Sequence, residues 1–443
     1  MTGNKVLVVT YYWPPAGGPG VQRWLKFAKY LGEFGIIPVI ARPKNPNYPT
    51  IDSALNQDIP DDLEVLALPI FEPARIMNQL MPARFKSISR GMVTRHEPGF
   101  IERLLLSIRG NLFIPDARKF WVNPTVKYLK KYLNEHPEIK LVITTGPPHS
   151  VHLIGQKLKQ SCAVKWMADF RDPWTEIYYH KALNLTRWAH RRHLHLEQTV
   201  LETADKIITT SPTTAKAFRL RTSRDVSVIT NGYDAADFIG LIPDSLDTDN
   251  KFRISHVGTL MDSRNPRALW QALENLIENN HELDGLEDFS SDLEIELTGS
   301  VAQGVIDAIN DNGLDQYCSL YPNCSHSEAI MAMARGHLLL LCERNEADAY
   351  HIIPAKLFEY IALSKPILAI GPEQSAIESI LENTDNGTYA KQGDVKIIEH
   401  QLYKAYRAFK SKSYKKGTVP DQPLYARKNL TQSLATMIKE ILQ

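Results

Sequence analysis

The sequence predicts an α/β protein built of two doubly wound halves, and three observations predict it. A chain of 443 residues exceeds what one hydrophobic core usually organises. Short apolar runs without polar alternation, among them Lys5–Tyr12, Leu141–Thr145, Val164–Ala168 and Ile367–Ile370, read as parallel strands covered on both faces. Amphipathic helical stretches separate these runs, and the alternation restarts after a polar linker that ends near Asn250.

In the first half, the strand Lys5–Tyr12 leads through Trp13-Pro14-Pro15-Ala16-Gly17-Gly18-Pro19-Gly20 into a helix over Val21–Phe34. Glycines permit close backbone approach and a helix start supplies free N–H groups, so Gly17 and Gly18 are candidates for a phosphate or sugar. A structural turn explains them equally well. The loop is neither G-x-G-x-x-G nor a Walker loop. Ile37–Ala41 and Leu63–Leu68 are further strands. Residues of about 70–121 read as a helical insertion, with an amphipathic turn or two at Phe100–Leu106. From Phe71 to Lys131 there are twelve Lys or Arg against four Asp or Glu. Such a surface fits peripheral contact with anionic membrane or an acidic substrate, and a solvated insertion fits as well.

After the helix Asn123–Glu135, the strand Leu141–Thr145 ends in Gly146-Pro147-Pro148-His149-Ser150. Open parallel sheets bind ligands beyond the carboxyl ends of their strands, which makes His149 a catalytic candidate. A helix-start histidine bonded to nearby backbone is the competing reading. The strand Val164–Ala168 delivers Asp169-Phe170-Arg171-Asp172-Pro173-Trp174 to the same edge. Asp169 is a second catalytic candidate, and Arg171 and Asp172 are candidates for an acceptor; the three charges can also simply pair with one another. A helix over Tyr178–Ala204 carries His193 and His195. Two residues apart, they face differently and make no metal pair. Strands at Asp205–Ser211 and Val226–Thr230 complete this half, and Asn231-Gly232-Tyr233-Asp234 follows them.

The second half opens with the strand Arg253–Val257, the turn Gly258–Asn265 with its cation Arg264, and a helix from Pro266. Leu293–Leu297, Tyr317–Leu320 and His337–Cys342 are its next strands. The stretch His351–Gly371 follows, with a short helix from near Pro354 through Ala362 whose apolar stripe pairs Leu357 with Ile361 and Phe358 with Ala362. Lys356 and Glu359 lie three apart on another face. As a pair they fit either a solvated ion pair or a grip on the phosphate and ribose of a nucleotide. Helices over Pro372–Leu381 and Asp394–Lys410, with a short strand near Gly387–Tyr389 between them, precede a final helix over Ala426–Leu442.

Three segments carry a resemblance: TTGPPHS with MADFRDPW, Asn231-Gly232-Tyr233-Asp234, and Pro354-Ala355-Lys356-Leu357-Phe358-Glu359-Tyr360-Ile361-Ala362. Together they resemble bacterial retaining glycosyltransferases of the GT-B fold, family 4. The resemblance implies two Rossmann-like domains facing a central cleft. It divides the chain into an acceptor-side domain (1–234), a nucleotide-sugar donor domain (235–425) and a C-terminal helix (426–443) packing back on the first domain. It further implies that Glu359 binds donor ribose, that Gly17, Gly18, Gly258, Arg264, Lys356 and His351 belong to the donor site, and that His149 matches the active-site histidine. His351 stands where many relatives have a second Glu, Thr259 where they have Arg, and Arg264 where they have Lys. The implied activity is retaining transfer of a sugar from a nucleotide-diphosphate donor to a hydroxyl acceptor, a glycan or lipid, in surface polysaccharide or glycolipid assembly. A nucleotide-sugar 2-epimerase of the same fold and a non-catalytic nucleotide-sugar-binding protein are the alternatives.

Composition sets outer bounds. Lys plus Arg (51) nearly balance Asp plus Glu (50), which argues against general nucleic-acid binding. The four cysteines show no C-x-x-C spacing, and no Asp-x-Asp stands in a metal-like context, so neither a metal nor another cofactor is expected. With no signal-like apolar segment at the N-terminus and only strand-sized apolar runs, a cytoplasmic location is expected, peripheral at the membrane's inner face if the basic insertion binds lipid.

Overall fold

Among the described residues of the computed structural model every strand pairs in parallel, and the strands form two separate sheets. The structure describes residues 3–72, 100–177, 180, 183–241, 249–279, 284–344, 346, 349–413 and 423–443. The first unit comprises residues 1–231 and 427–443, and the second residues 232–426.

The first sheet contains β1 (Asn4–Thr10), β2 (Ile36–Pro43), β3 (Glu64–Leu68), β4 (Leu141–Gly146), β5 (Lys165–Phe170), β6 (Lys206–Thr209) and β7 (Asp225–Val228), in the order β3-β2-β1-β4-β5-β6-β7. Its central strands are buried on both faces, as their unalternating sequences require. The strand order reverses direction between β1 and β4. A crevice opens there at the carboxyl ends, because the chain leaves the two strands toward opposite sides. The terminal helix Arg427–Leu442 belongs to this unit: Leu430, Leu434, Ala435 and Ile438 enter its core, and Lys428 pairs with Glu33 at 2.6 Å.

The second sheet contains β8 (Phe252–Val257), β9 (Leu293–Thr298), β10 (Cys318–Tyr321), β11 (Leu338–Cys342), β12 (Ile367–Gly371) and β13 (Gly387–Lys391), in the order β10-β9-β8-β11-β12-β13. Its reversal lies between β8 and β11. The helix Ala355–Ala362 starts directly after Pro354 and buries Leu357, Phe358, Tyr360, Ile361 and Ala362. Tyr360 anchors it: its hydroxyl donates to the Leu340 carbonyl and accepts from the Val257 amide, each at 3.3 Å.

Two expectations change. β5 runs two residues beyond Ala168, so Asp169 lies inside the sheet instead of on a loop. The single helix expected over Tyr178–Ala204 is broken: residues 183–186 are not helical. The helix Arg187–Thr203 starts where the Thr186 hydroxyl accepts from the Ala189 amide and caps it, while residues 178, 179, 181 and 182 lie outside the described residues. Within the basic insertion, Phe100–Leu112 and Lys119–Glu135 are helices, and the latter buries Trp121, Val122, Leu129 and Leu133 in the first unit. Residues 73–99, on which much of the expected membrane contact falls, lie outside the described residues. Among the described residues no helix is long and apolar enough to cross a membrane.

Candidate functional site

Each unit gathers its polar side chains at the reversal point of its sheet. In the first unit the loops after β1, β4 and β5 meet there, and Arg171 ties them together. Its Nε donates to the Gly146 carbonyl at 3.3 Å, its two terminal nitrogens donate to the carbonyls of Gly20 and Pro147, and its guanidinium lies 5.6 Å from the centre of the Tyr12 ring. Arg171 therefore fastens the glycine loop to the Gly-Pro-Pro turn, a different use from the acceptor contact expected of it. Gly18 sits at φ +96° ahead of the helix Pro19–Leu31, a conformation that a side chain would strain. The Gly17 amide donates to the Thr50 carbonyl at 3.1 Å.

Asp169, expected as a catalytic group, is fully buried and fully occupied. Arg23 clamps it with two hydrogen bonds of 2.9 and 3.1 Å, Trp24 Nε1 donates to it at 2.7 Å, and the Thr145 hydroxyl at 2.8 Å. Burial alone raises its pKa, but Arg23 and the other donors outweigh that and hold it below the usual carboxylate range. This carboxylate is an internal ion pair holding the first helix to β4 and β5.

His149 is different. It immediately precedes the helix Ser150–Ser161, yet its imidazole caps nothing. The helix start is instead satisfied by Asp116, whose carboxylate accepts from the Ser150 amide and hydroxyl, each at 2.8 Å. Asp116 thereby ties its own segment to the start of this helix. His149 is 6% exposed, and among the described residues neither ring nitrogen has a hydrogen-bond partner. Its ring stacks on Trp174, with centroids 4.9 Å apart and planes 4° from parallel. Burial, together with His152 and Arg171 nearby, pushes its pKa well below the ordinary histidine value, so the ring is neutral near pH 7.

The imidazole borders a cavity of about 270 Å³ in the first unit, which Tyr12, Phe113, Asp172, Trp174, His180 and His193 also line. Trp174 is held in place from behind. Its indole N–H donates to His193 Nδ1 at 3.1 Å, and its amide to buried Glu197 at 3.0 Å. Asp172, pushed up by burial against the pull of Arg171, is half-buried. The lining of the cavity thus includes a neutral imidazole, a carboxyl group and aromatic rings, a combination suited to hydroxyl groups.

In the second unit the convergence is of cations. Gly258 follows β8 at φ +117°, and a Cβ there would lie 2.6 Å from Lys356 Nζ. The glycine therefore leaves the lysine room against the turn. Arg264 stands in a short helical turn, Asp262–Arg264, and approaches Glu343 Oε2 to 3.7 Å. Lys356 is pushed down to about 8, by burial first and then by Arg264. Sequence reasoning placed Gly258, Arg264 and Lys356 here but missed Glu343, the first residue after β11. Glu359, on the same helix as Lys356, has a side chain 16% exposed and lies 2.9 Å from His326 Nε2. His351 is 5% exposed with its ring against Tyr350, centroids 3.9 Å apart. Among the described residues no group of three or more His, Cys, Asp or Glu is placed to hold a metal ion.

No family model matches the chain, and no curated protein matches it. Solved structures do. Sucrose-phosphate synthase from Thermosynechococcus elongatus is similar with a TM-score of 0.61 at 13% identity, over 99% of both chains. WaaG, a glycosyltransferase involved in lipopolysaccharide biosynthesis, is similar at 0.54 and 12%, over 98% of this chain and 99% of that one. A UDP-N-acetylglucosamine 2-epimerase is similar at 0.51 and 11%, over 99% and 96%. With the two parallel α/β units, these likenesses define the fold as GT-B, two Rossmann-like domains.

Proposed function

We propose that the protein is a retaining glycosyltransferase that moves a sugar from a nucleotide-diphosphate donor to a hydroxyl on a glycan or lipid-linked acceptor. The observation that carries this reading is the convergence of Arg264 and Lys356 on the turn at Gly258, where the second sheet reverses. Two cations at a glycine turn suit a diphosphate, and guanidinium adds a two-pronged grip. In this reading Arg264 and Lys356, not a metal, stabilise the charge that develops on the leaving diphosphate. Glu359 takes the ribose hydroxyls. His149 and Asp172 hold hydroxyl groups of the reacting sugars, and the departing phosphate acts as base toward the acceptor.

Calorimetric titration tests the donor site directly. Arg264→Ala and Lys356→Ala are expected to weaken nucleoside-diphosphate binding far more than binding of the uncharged nucleoside. Equal losses for both ligands would mean that neither side chain touches phosphate.

Glu359→Ala is expected to cost donor affinity roughly 1.5 to 3 kcal/mol, as for hydrogen bonds to a charged group, with the thermal unfolding midpoint nearly unmoved. Unchanged affinity rejects the ribose assignment.

The fold is also that of UDP-N-acetylglucosamine 2-epimerases, which supports a second reading. Incubation with nucleotide sugar and no acceptor separates the two. An epimerase returns an isomer, a transferase at most slow hydrolysis.

A further inference from the structure

Glu343 is the one member of the cation cluster that a diphosphate does not explain. It follows β11 at the reversal of the second sheet and is 1% exposed. Among the described residues, neither of its carboxylate oxygens accepts a hydrogen bond. Arg264 stands 3.7 Å from it, an ion-pair distance without a hydrogen bond, and Arg264 Nε is likewise buried without a partner. Burial pushes the Glu343 carboxyl up, while Arg264, Lys356 and Arg344 oppose the shift. Cys342 precedes it in the chain, and the Tyr389 ring approaches from β13, its hydroxyl bonded to the Pro372 carbonyl at 2.7 Å.

A buried carboxylate with two empty acceptor positions is costly unless something donates to it. A diphosphate brings only acceptors. It would satisfy Arg264 and Lys356 and meet Glu343 as a like charge. A sugar ester of a diphosphate brings both kinds of group: phosphate oxygens for the cations and hydroxyl donors for the carboxylate.

Resting on the nucleotide-sugar reading above, we infer that Glu343 recognises hydroxyl groups of the donor sugar and makes the site prefer the sugar-bearing donor to the nucleoside-diphosphate product. When the sugar leaves, Glu343 loses its donors and faces phosphate across a short gap. The product is then held less tightly than the substrate. Glu343 is in this sense a specificity-determining residue rather than a scaffold for the cations.

The test compares two ratios. Dissociation constants are measured for UDP against UDP-glucose and for GDP against GDP-mannose, with the full chain and with Glu343→Gln and Glu343→Ala. Thermal unfolding confirms that each variant is folded, and Gln keeps the shape if Ala does not fold. The wild type is expected to bind at least one nucleotide sugar more tightly than its own diphosphate. Both variants are expected to lose that preference by about tenfold or more, through weaker sugar-nucleotide binding and equal or tighter diphosphate binding. Parallel loss of both ligands overturns the inference, because Glu343 would then only position Arg264 and Lys356. An unchanged ratio overturns it too, as does a wild type that binds diphosphate without preferring the sugar. A wild type that binds none of the four ligands instead overturns the proposed function, and this inference with it.

Discussion

His149→Ala is expected to lower kcat by about 10²-fold or more while changing donor affinity little. The expectation rests on an imidazole that the fold holds but does not use. Its ring is fixed by the Trp174 stack and caps no helix, and neither nitrogen is bonded to protein among the described residues. A neutral imidazole with a free donor and a free acceptor is prepared for a substrate hydroxyl or for developing charge on a sugar ring. If that contact strengthens as the bond to the diphosphate breaks, its loss appears in turnover and not in ground-state binding. A factor of 10² corresponds to about 2.7 kcal/mol of transition-state stabilisation, within reach of one well-placed hydrogen bond in a dry site. The pH profile provides a second check. Because the folded pKa is depressed far below its ordinary value, lowering pH from 8 to 6 leaves the ring neutral, and His149 should contribute no activity limb there; a limb near pH 8 belongs to Lys356. Steady-state rates over that range, with donor affinity measured separately, decide the matter. Normal turnover in the variant would reduce His149 to a buried residue of the loop.

Much of the scaffold was legible because its signals are local. Unalternating apolar runs marked the strands of both sheets, and Leu357, Phe358, Ile361 and Ala362 gave the short helix its buried face. The grouping of Gly258, Arg264 and Lys356 was implied by the family resemblance alone, because singly each reads as a turn glycine or a solvated cation. What the sequence hid was pairing over distance. Asp169 and Arg23 lie 146 residues apart, so the charges beside Asp169 in sequence, Arg171 and Asp172, stood in for its true partner. One faint signal existed: Arg23 is four residues before Phe27 on the apolar side of its helix, and its guanidinium lies 5.0 Å from that ring. Asp116 was opaque for the same reason, since the helix start it satisfies begins 34 residues later. Glu343 looked like the first polar residue of a loop. Only the approach of Arg264, from a different strand end, makes it part of a site.

The Arg23–Asp169 pair leads to the largest expected effect on stability. Both side chains are 0% exposed, so neither charge has water to fall back on. Replacing Asp169 with alanine strands the guanidinium, together with the donors of Trp24 and Thr145, in the core of the first unit. Removing one partner of a buried pair typically costs about 3–5 kcal/mol, whereas replacing both by apolar groups of similar volume is often nearly neutral. Asp169→Ala and Arg23→Met are therefore each expected to destabilise strongly, and the double variant Arg23→Met with Asp169→Leu to recover much of the loss. The pH dependence has a definite sign. The folded pKa of Asp169 is lowered, so its contribution is fully present above the unfolded carboxyl value and is lost as pH falls through the folded one. At pH 7 the single variants should thus show their full deficit in thermal or denaturant unfolding, and that deficit should shrink in strong acid. If instead Asp169→Ala folds as stably as the parent but loses turnover, the carboxylate serves the reaction and not the fold. A stable, active single variant would show that the pair contributes little to either.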